Sequence, residues 1–242
     1  MARRAGRRRG GKAVSEEIEA KVRIADPAAF RRRMAERSES GGETVFEDNR
    51  LFDDAAGTLR RRGAALRVRE ERPVAGGEPL RATLTYKGPR AESELKRREE
   101  IEIEVQAAPG FASRQATLAR PSAPPGPAAR LPCQGASRRD AEATPGAPGL
   151  ALIFEAMGLR EIFRYQKRRS VWRVGECEIA LDELPYLGWF VEIEGPTERS
   201  VRAQLEDLAL ADAELLSADY IHLLTERLKS LGLDPSRALF EA

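Results

Sequence analysis

Charged and apolar residues alternate along one segment of this chain after another, and that alternation limits what the chain can fold into. In a β-strand, successive side chains point to opposite faces. The first such segment places Glu17, Glu19, Lys21 and Arg23 on one face and Ile18, Ala20, Val22 and Ile24 on the other. The same parity sets Arg67 and Arg69 against Leu66 and Val68, and Arg81, Thr83, Thr85 and Lys87 against Ala82, Leu84 and Tyr86. It then sets Arg98, Glu100, Glu102 and Glu104 against Ile101, Ile103 and Val105. Further along, Lys167 and Arg169 share a parity, Glu176, Glu178 and Asp182 oppose Cys177, Ile179 and Leu181, and Glu192 and Glu194 oppose Val191 and Ile193.

For a single strand the plain reading is a half-buried sheet with its charged face in water. Taken together, these faces carry little besides carboxylates and Arg or Lys, segregated into acidic and basic clusters. Like charges at alternate positions of one strand, such as Glu17 with Glu19 or Glu192 with Glu194, repel unless a cation lies between them. Hard oxygen ligands of this kind suit Mg²⁺ or Mn²⁺. Lys21, Arg67, Arg69, Lys87, Lys167 and Arg169 are suited to charge-assisted hydrogen bonds with phosphate oxygens. Strands closed into a barrel would turn the charged face into a lumen and leave the apolar face for helices to cover. Such a lumen is tolerable only when opposite charges, water, metal or ligand satisfy it, so a binding tunnel is expected.

The rest of the sequence restricts the function classes. With Lys+Arg 41 against Asp+Glu 39 and a net charge of +2, the 242-residue chain does not have the balance of a simple polyanion-binding surface. The one long basic run, Arg3 to Lys12, has no apolar partner face, so residues 1–14 are expected to be a disordered tail, and nucleic acid is disfavoured as a partner. No 18-residue apolar stretch exists and no apolar h-region follows the basic start, which predicts a soluble cytoplasmic protein with no membrane partner. Cys133 and Cys177 are too few for a disulfide framework or a thiolate zinc site. The single histidine, His222, excludes chemistry that needs several. Residues 107–149, rich in Ala, Pro, Gly, Ser and Arg, read as a flexible insertion in a loop.

Leu152, Phe154, Met157 and Leu159 around Gly158 predict a short helix that feeds a strand over 163–174. Val201, Leu205, Leu208 and Leu210, then Tyr220, Leu223, Leu224 and Leu228, predict helices packed outside the sheet, the second group as barrel cover rather than a dimer seam. Trp172, Trp189 and Phe190 read as packing aromatics.

The segment Glu17-Ile18-Glu19-Ala20-Lys21 matches the ExExK signature that opens the CYTH domain, the fold of the triphosphate tunnel metalloenzymes. In order there follow Asn49-Arg50-Leu51-Phe52-Asp53, Gly63-Ala64-Ala65-Leu66-Arg67-Val68-Arg69, Lys87-Gly88-Pro89, Arg98 to Glu102, Lys167 to Arg169, Asp182, and Val191-Glu192-Ile193-Glu194-Gly195. Over about residues 15–230 the chain resembles that family, with 231–242 left as a tail. The resemblance implies an α+β fold, a closed eight-stranded antiparallel β-barrel with helices outside. It implies metal ligands Glu17, Glu19, Glu192 and Glu194 for Mg²⁺ or Mn²⁺. It also implies a phosphate path of Lys21, Arg23, Arg67, Arg69, Lys87, Arg98, Lys167 and Arg169, and a catalytic set of Lys21, Glu100, Glu102 and Asp182. The insertion at 107–149 is longer than the family's usual connection.

The family includes class IV adenylate cyclases, thiamine triphosphatases and inorganic triphosphatases. Hydrolysis of a small triphosphate asks least of the site, namely positioned phosphate, metal and water, and is the expected activity. The alternatives are a cyclase that makes cyclic AMP and pyrophosphate from ATP, and a non-catalytic module that binds polyphosphate or nucleotide.

Overall fold

The computed structural model describes residues 15–38, 41–77, 81–91, 96–105 and 147–241. The basic run Arg3 to Lys12 and residues 107–146 of the expected insertion lie outside the described residues. The alternating segments are strands. β1 (Ser15–Ile24), β2 (Gly41–Asp54), β3 (Ala65–Pro73), β4 (Arg81–Ala91), β5 (Lys96–Val105), β6 (Leu159–Val174), β7 (Cys177–Leu184) and β8 (Gly188–Gly195) form one antiparallel sheet in the order β2-β3-β4-β5-β1-β8-β7-β6. β2 also pairs with β6, from Gly41–Trp172 to Asp54–Leu159, and this joins the two ends of the row.

Parity then sorts the side chains into two environments. Outward, Ile18, Ala20, Val22, Ile179, Leu181, Val191 and Ile193 form an apolar layer. α1 (Pro27–Arg37) lays Phe30 and Met34 on that layer, and α4 (Glu198–Asp207) lays Val201 and Leu205 on it. α1 starts at Pro27, preset for a helix, and its N-cap Asp26 accepts a hydrogen bond from the Ala29 amide. α4 starts with a capping box between Thr197 and Ser200. α3 (Ala147–Ala156) begins three residues inside the expected insertion boundary and packs Phe154 against Phe52 and Val68. It ends before Gly158, whose φ of +80° suits a residue without a Cβ.

α5 (Tyr220–Ser230) is placed differently. Its Tyr220, Leu224 and Leu228 cluster with Leu51, Phe163, Leu184 and Phe190, residues of the same parity as the charged ones, so α5 covers one end of the barrel. The last residues are more than a tail. β9 (Arg237–Ala238) pairs in parallel with Arg164–Tyr165 of β6, and Ala238 is fully buried. A four-residue helix, α2 (Thr58–Arg61), links β2 to β3 and is tied down by Asp53, which accepts hydrogen bonds from the amides of Asp54, Leu59 and Arg60.

Gly195, the last residue of β8, lets α4 approach closely. A Cβ there would lie 2.8 Å from Ser200 Oγ, 2.9 Å from Cys177 Sγ and 3.0 Å from Val201 Cγ2. Gly195→Ala is therefore expected to destabilise the fold by about 1–3 kcal/mol through overpacking. Chemical denaturation measures this, and an unchanged midpoint would refute the tight approach.

Candidate functional site

The charged face encloses a cavity of about 1640 Å³. Lys21, Arg67, Arg69, Lys87, Arg98, Lys167 and Arg169 line it, together with Glu19, Glu100, Glu102, Glu192 and Glu194, as the alternation requires. Arg81, Arg173 and Glu178 join the lining from the same parity.

Beside it lies a buried ion network on β1, β6, β7 and β8. Asp182 is completely buried, and Arg169 grips it through Nε and Nη2, each at 2.6 Å. Lys167 Nζ reaches Asp182 at 3.3 Å, and the Tyr220 hydroxyl donates to it at 2.9 Å. Arg169 also contacts Glu192, which in turn holds Lys21 Nζ at 2.9 Å. Lys21 lies 3.4 Å from Glu19. Lys167, Arg169 and Tyr220 all donate to Asp182, which does not line the cavity.

Across the barrel, Arg67 lies 4.0 Å from Glu100 and 3.9 Å from Glu102, Lys87 lies 3.0 Å from Glu100, and Thr85 donates to Glu102 at 3.1 Å. Burial opposes the charge on Glu102, but Arg69 and Arg67 outweigh it and hold the carboxyl below its ordinary value. Arg67 Nε and Arg69 Nε are buried without a hydrogen-bond partner.

On the acidic side, Glu178 of β7, Glu194 of β8 and Glu19 of β1 stand opposite one another in successive strands. Like charges placed directly across a ladder are destabilising unless something neutralises them. Glu192 is taken up by Lys21 and Arg169 and sits one step inward. The side chain of Glu17 lies outside the described residues; its backbone pairs with Arg98. Among the described residues, no three acidic side chains converge closely enough to hold an ion as they stand.

Among the described residues, Arg23 as well as Asp182 stands outside the cavity lining. The Arg23 side chain is exposed, donates to the Leu187 carbonyl at 2.5 Å and stacks on the Phe190 ring. β1 has reached the barrel end by this residue, so the right parity no longer leads into the cavity. His222 lies on α5 and lines the cavity near that same end.

Glu47 and Tyr220, too, were not singled out from sequence as site residues. Glu47 of β2, 1% exposed, lies 3.4 Å from both Arg69 and Lys167 and 3.8 Å from Arg169. Burial penalises its charge, but those three cations outweigh the penalty and its pKa falls well below the ordinary 4.5. The available signal was parity with Asn49, two residues on. Tyr220 was legible only as a helical apolar position.

The CYTH domain family's sequence profile matches residues 15–217, and the chain belongs to that family. No curated protein matches it. Several solved structures share the fold. The PH1819 protein of Pyrococcus horikoshii OT3 is 21% identical with a TM-score of 0.60, covering 87% of this chain and 99% of its own. A putative adenylate cyclase of Vibrio parahaemolyticus is 21% identical with a TM-score of 0.59, covering 86% and 97%. A putative adenylyl cyclase of Hippeastrum, described as having a dominant triphosphatase activity, is 17% identical with a TM-score of 0.55, covering 90% and 97%. Among the described residues, no helix is long and apolar enough to cross a membrane.

The depressed pKa of Glu47 gives a linkage prediction. A carboxyl whose folded pKa lies below its unfolded value of about 4.5 stabilises the fold above that pH, and the contribution is lost as pH falls through the folded value. Glu47→Gln should cost about 3 kcal/mol at pH 7, because it leaves buried cations uncompensated. The deficit should shrink as pH drops below 4.5. Denaturation midpoints of both proteins across pH 3 to 7 check this, and a deficit independent of pH would contradict it.

Proposed function

We propose that this protein hydrolyses a small triphosphate, inorganic or carried on an organic group, in a metal-dependent reaction inside the barrel. The observation that carries this reading is the sorting of charge in the cavity. Arg67, Arg69, Lys87, Lys167, Arg169 and Lys21 surround it, beside the acidic row Glu19–Glu194–Glu178. A linear triphosphate carries several negative charges along its length and is matched by a basic surface of this extent. The Hippeastrum neighbour's description as a triphosphatase is consistent with the reading.

The donor set fits Mg²⁺ or Mn²⁺ in chemistry, since it consists of hard carboxylate oxygens set opposite one another with like charge. Glu19 and Glu194, with Glu17 from the same strand face, would hold the ion, and Glu192 would adjoin them. When bound, the metal would neutralise phosphate charge and polarise the phosphoryl group.

The chain's own residues do the rest. Arg67, Arg69 and Arg169 donate to the non-bridging oxygens and offset the charge that builds on them as phosphorus is attacked. Lys21 and Lys87 add ammonium donors on either side. A cavity carboxylate, Glu100 or Glu102, orients the attacking water and accepts its proton. The bond from the terminal phosphorus to its bridging oxygen breaks, orthophosphate forms and the rest of the chain leaves as the anion. Asp182 and Glu47 keep Lys167 and Arg169 in place and do not touch the substrate.

A panel of tripolyphosphate, thiamine triphosphate and ATP with Mg²⁺ or Mn²⁺, with products resolved by chromatography, tests this. Metal-dependent orthophosphate release is expected. Arg69→Ala should reduce kcat/KM about a hundredfold, and Glu19→Gln should raise the metal concentration needed. Cyclic AMP with pyrophosphate would instead establish a cyclase. Tight binding without turnover would leave a binding module.

Turnover should also weaken at alkaline pH. Burial and the neighbouring Arg169 lower the Lys167 pKa below 10.5 against the opposing pull of Asp182 and Glu47, so its charge is lost earlier than an ordinary lysine's. In Lys167→Arg the alkaline limb of kcat/KM should move upward. An unmoved limb would remove Lys167 from the clamp.

A further inference from the structure

The innermost side chain of the end-covering helix meets the basic clamp. Tyr220 opens α5 and is 5% exposed. The Lys21 ammonium lies 3.8 Å from the centroid of its ring and the Lys167 ammonium 5.6 Å from it. Its hydroxyl donates to Asp182, the carboxylate that Arg169 and Lys167 also hold. One residue thus touches, directly or through one carboxylate, three of the cations assigned to the phosphate path. The other buried residues of α5, Leu224 and Leu228, belong to the apolar cluster with Leu51, Phe163, Leu184 and Phe190.

A bare ammonium in a buried site needs more than its carboxylates, and an aromatic face attracts it without neutralising it as a third anion would. That difference matters for a group whose task is to bind an anion. We propose that Tyr220 is a positioning residue: its ring face holds the Lys21 ammonium in the cavity, and its hydroxyl fixes the Asp182 carboxylate from which Lys167 and Arg169 are aimed. The assignment rests on the triphosphate reading of the cavity. It adds that the clamp is complete only when α5 is docked, because the residue that orders it belongs to that helix and not to the sheet.

The test compares Tyr220→Phe, Tyr220→Leu and Leu224→Ala in the full chain, using calorimetric binding of tripolyphosphate and thermal denaturation. Leu224→Ala loosens α5 while leaving the Tyr220 ring and hydroxyl in place. Tyr220→Phe keeps the ring but loses the hydrogen bond to Asp182 and is expected to bind a fewfold more weakly than the unaltered protein. Tyr220→Leu is expected to bind about tenfold more weakly, and Leu224→Ala to lose stability while retaining affinity. Affinity that falls in proportion to lost stability across all three would make Tyr220 a packing residue and overturn the assignment. So would unchanged binding by Tyr220→Leu. An unaltered protein that binds no tripolyphosphate would overturn the triphosphate reading itself and, with it, any clamp for Tyr220 to order. Normal binding by the unaltered protein together with insensitive variants would overturn this assignment alone.

Discussion

Taking a charged side chain out of water costs several kcal/mol even after the protein relaxes around it, and the attraction of a buried partner repays this only when the geometry is good. This barrel places Asp182, Lys167, Lys21 and Glu47 in its interior, each 3% exposed or less. They are tolerated because each is surrounded by groups of opposite sign. Arg169 binds Asp182 at two points and Lys167 spans Asp182 and Glu47. Lys21 lies between Glu19 and Glu192. Ring-like strand pairing allows it, since it brings β1, β6, β7 and β8 together with β2 and gives a carboxylate on one strand a cation on the next. The outer layer of Ile179, Leu181, Val191 and Ile193 under α1 and α4 supplies the apolar burial that holds the arrangement together.

The alternation was readable because a period of two admits no ambiguity while a strand continues. It places Glu19, Lys21, Arg67, Arg69, Lys87, Glu100, Lys167, Arg169 and Glu192 on one face, and all of them line the cavity. It failed where its physical basis failed. Arg23 has the right parity, but the strand has left the cavity by then and the guanidinium turns to the Leu187 carbonyl. Glu47 was hidden because Asp48 follows it. With two adjacent acids, the parity Glu47 shares with Asn49 does not say which acid faces inward, and the structure shows Glu47 facing the interior cations while Asp48 is held by Arg164 on the other face. Tyr220 was hidden for another reason, since periodicity identifies the buried stripe of a helix but not what that stripe is buried against.

The apolar and charged halves of the molecule also divide its sensitivity to solution conditions. The layer beneath α1 and α4 responds to packing volume, as the close approach at Gly195 illustrates. The interior responds to pH, through Glu47 on the acid side and Lys167 on the alkaline side, whose pKa values are moved by the same pairings. A substitution on one side of the sheet therefore reveals itself in a different experiment from a substitution on the other, although the two residues may be sequence neighbours.

The short strand β9 bears on how this protein behaves in company. β7 pairs with β6 only over Arg168–Val174, so along that edge the earlier part of β6 lies beyond its reach. An open edge of this kind is a template on which another chain can add a strand. Arg237 and Ala238 occupy it in parallel, the Arg164 amide donates to the Ser236 carbonyl, and the Phe240 amide is held by Gln166. The final residues thus act as a stopper on the sheet. A shortened chain that still folds would present a sticky margin, and its solubility would suffer before its stability did.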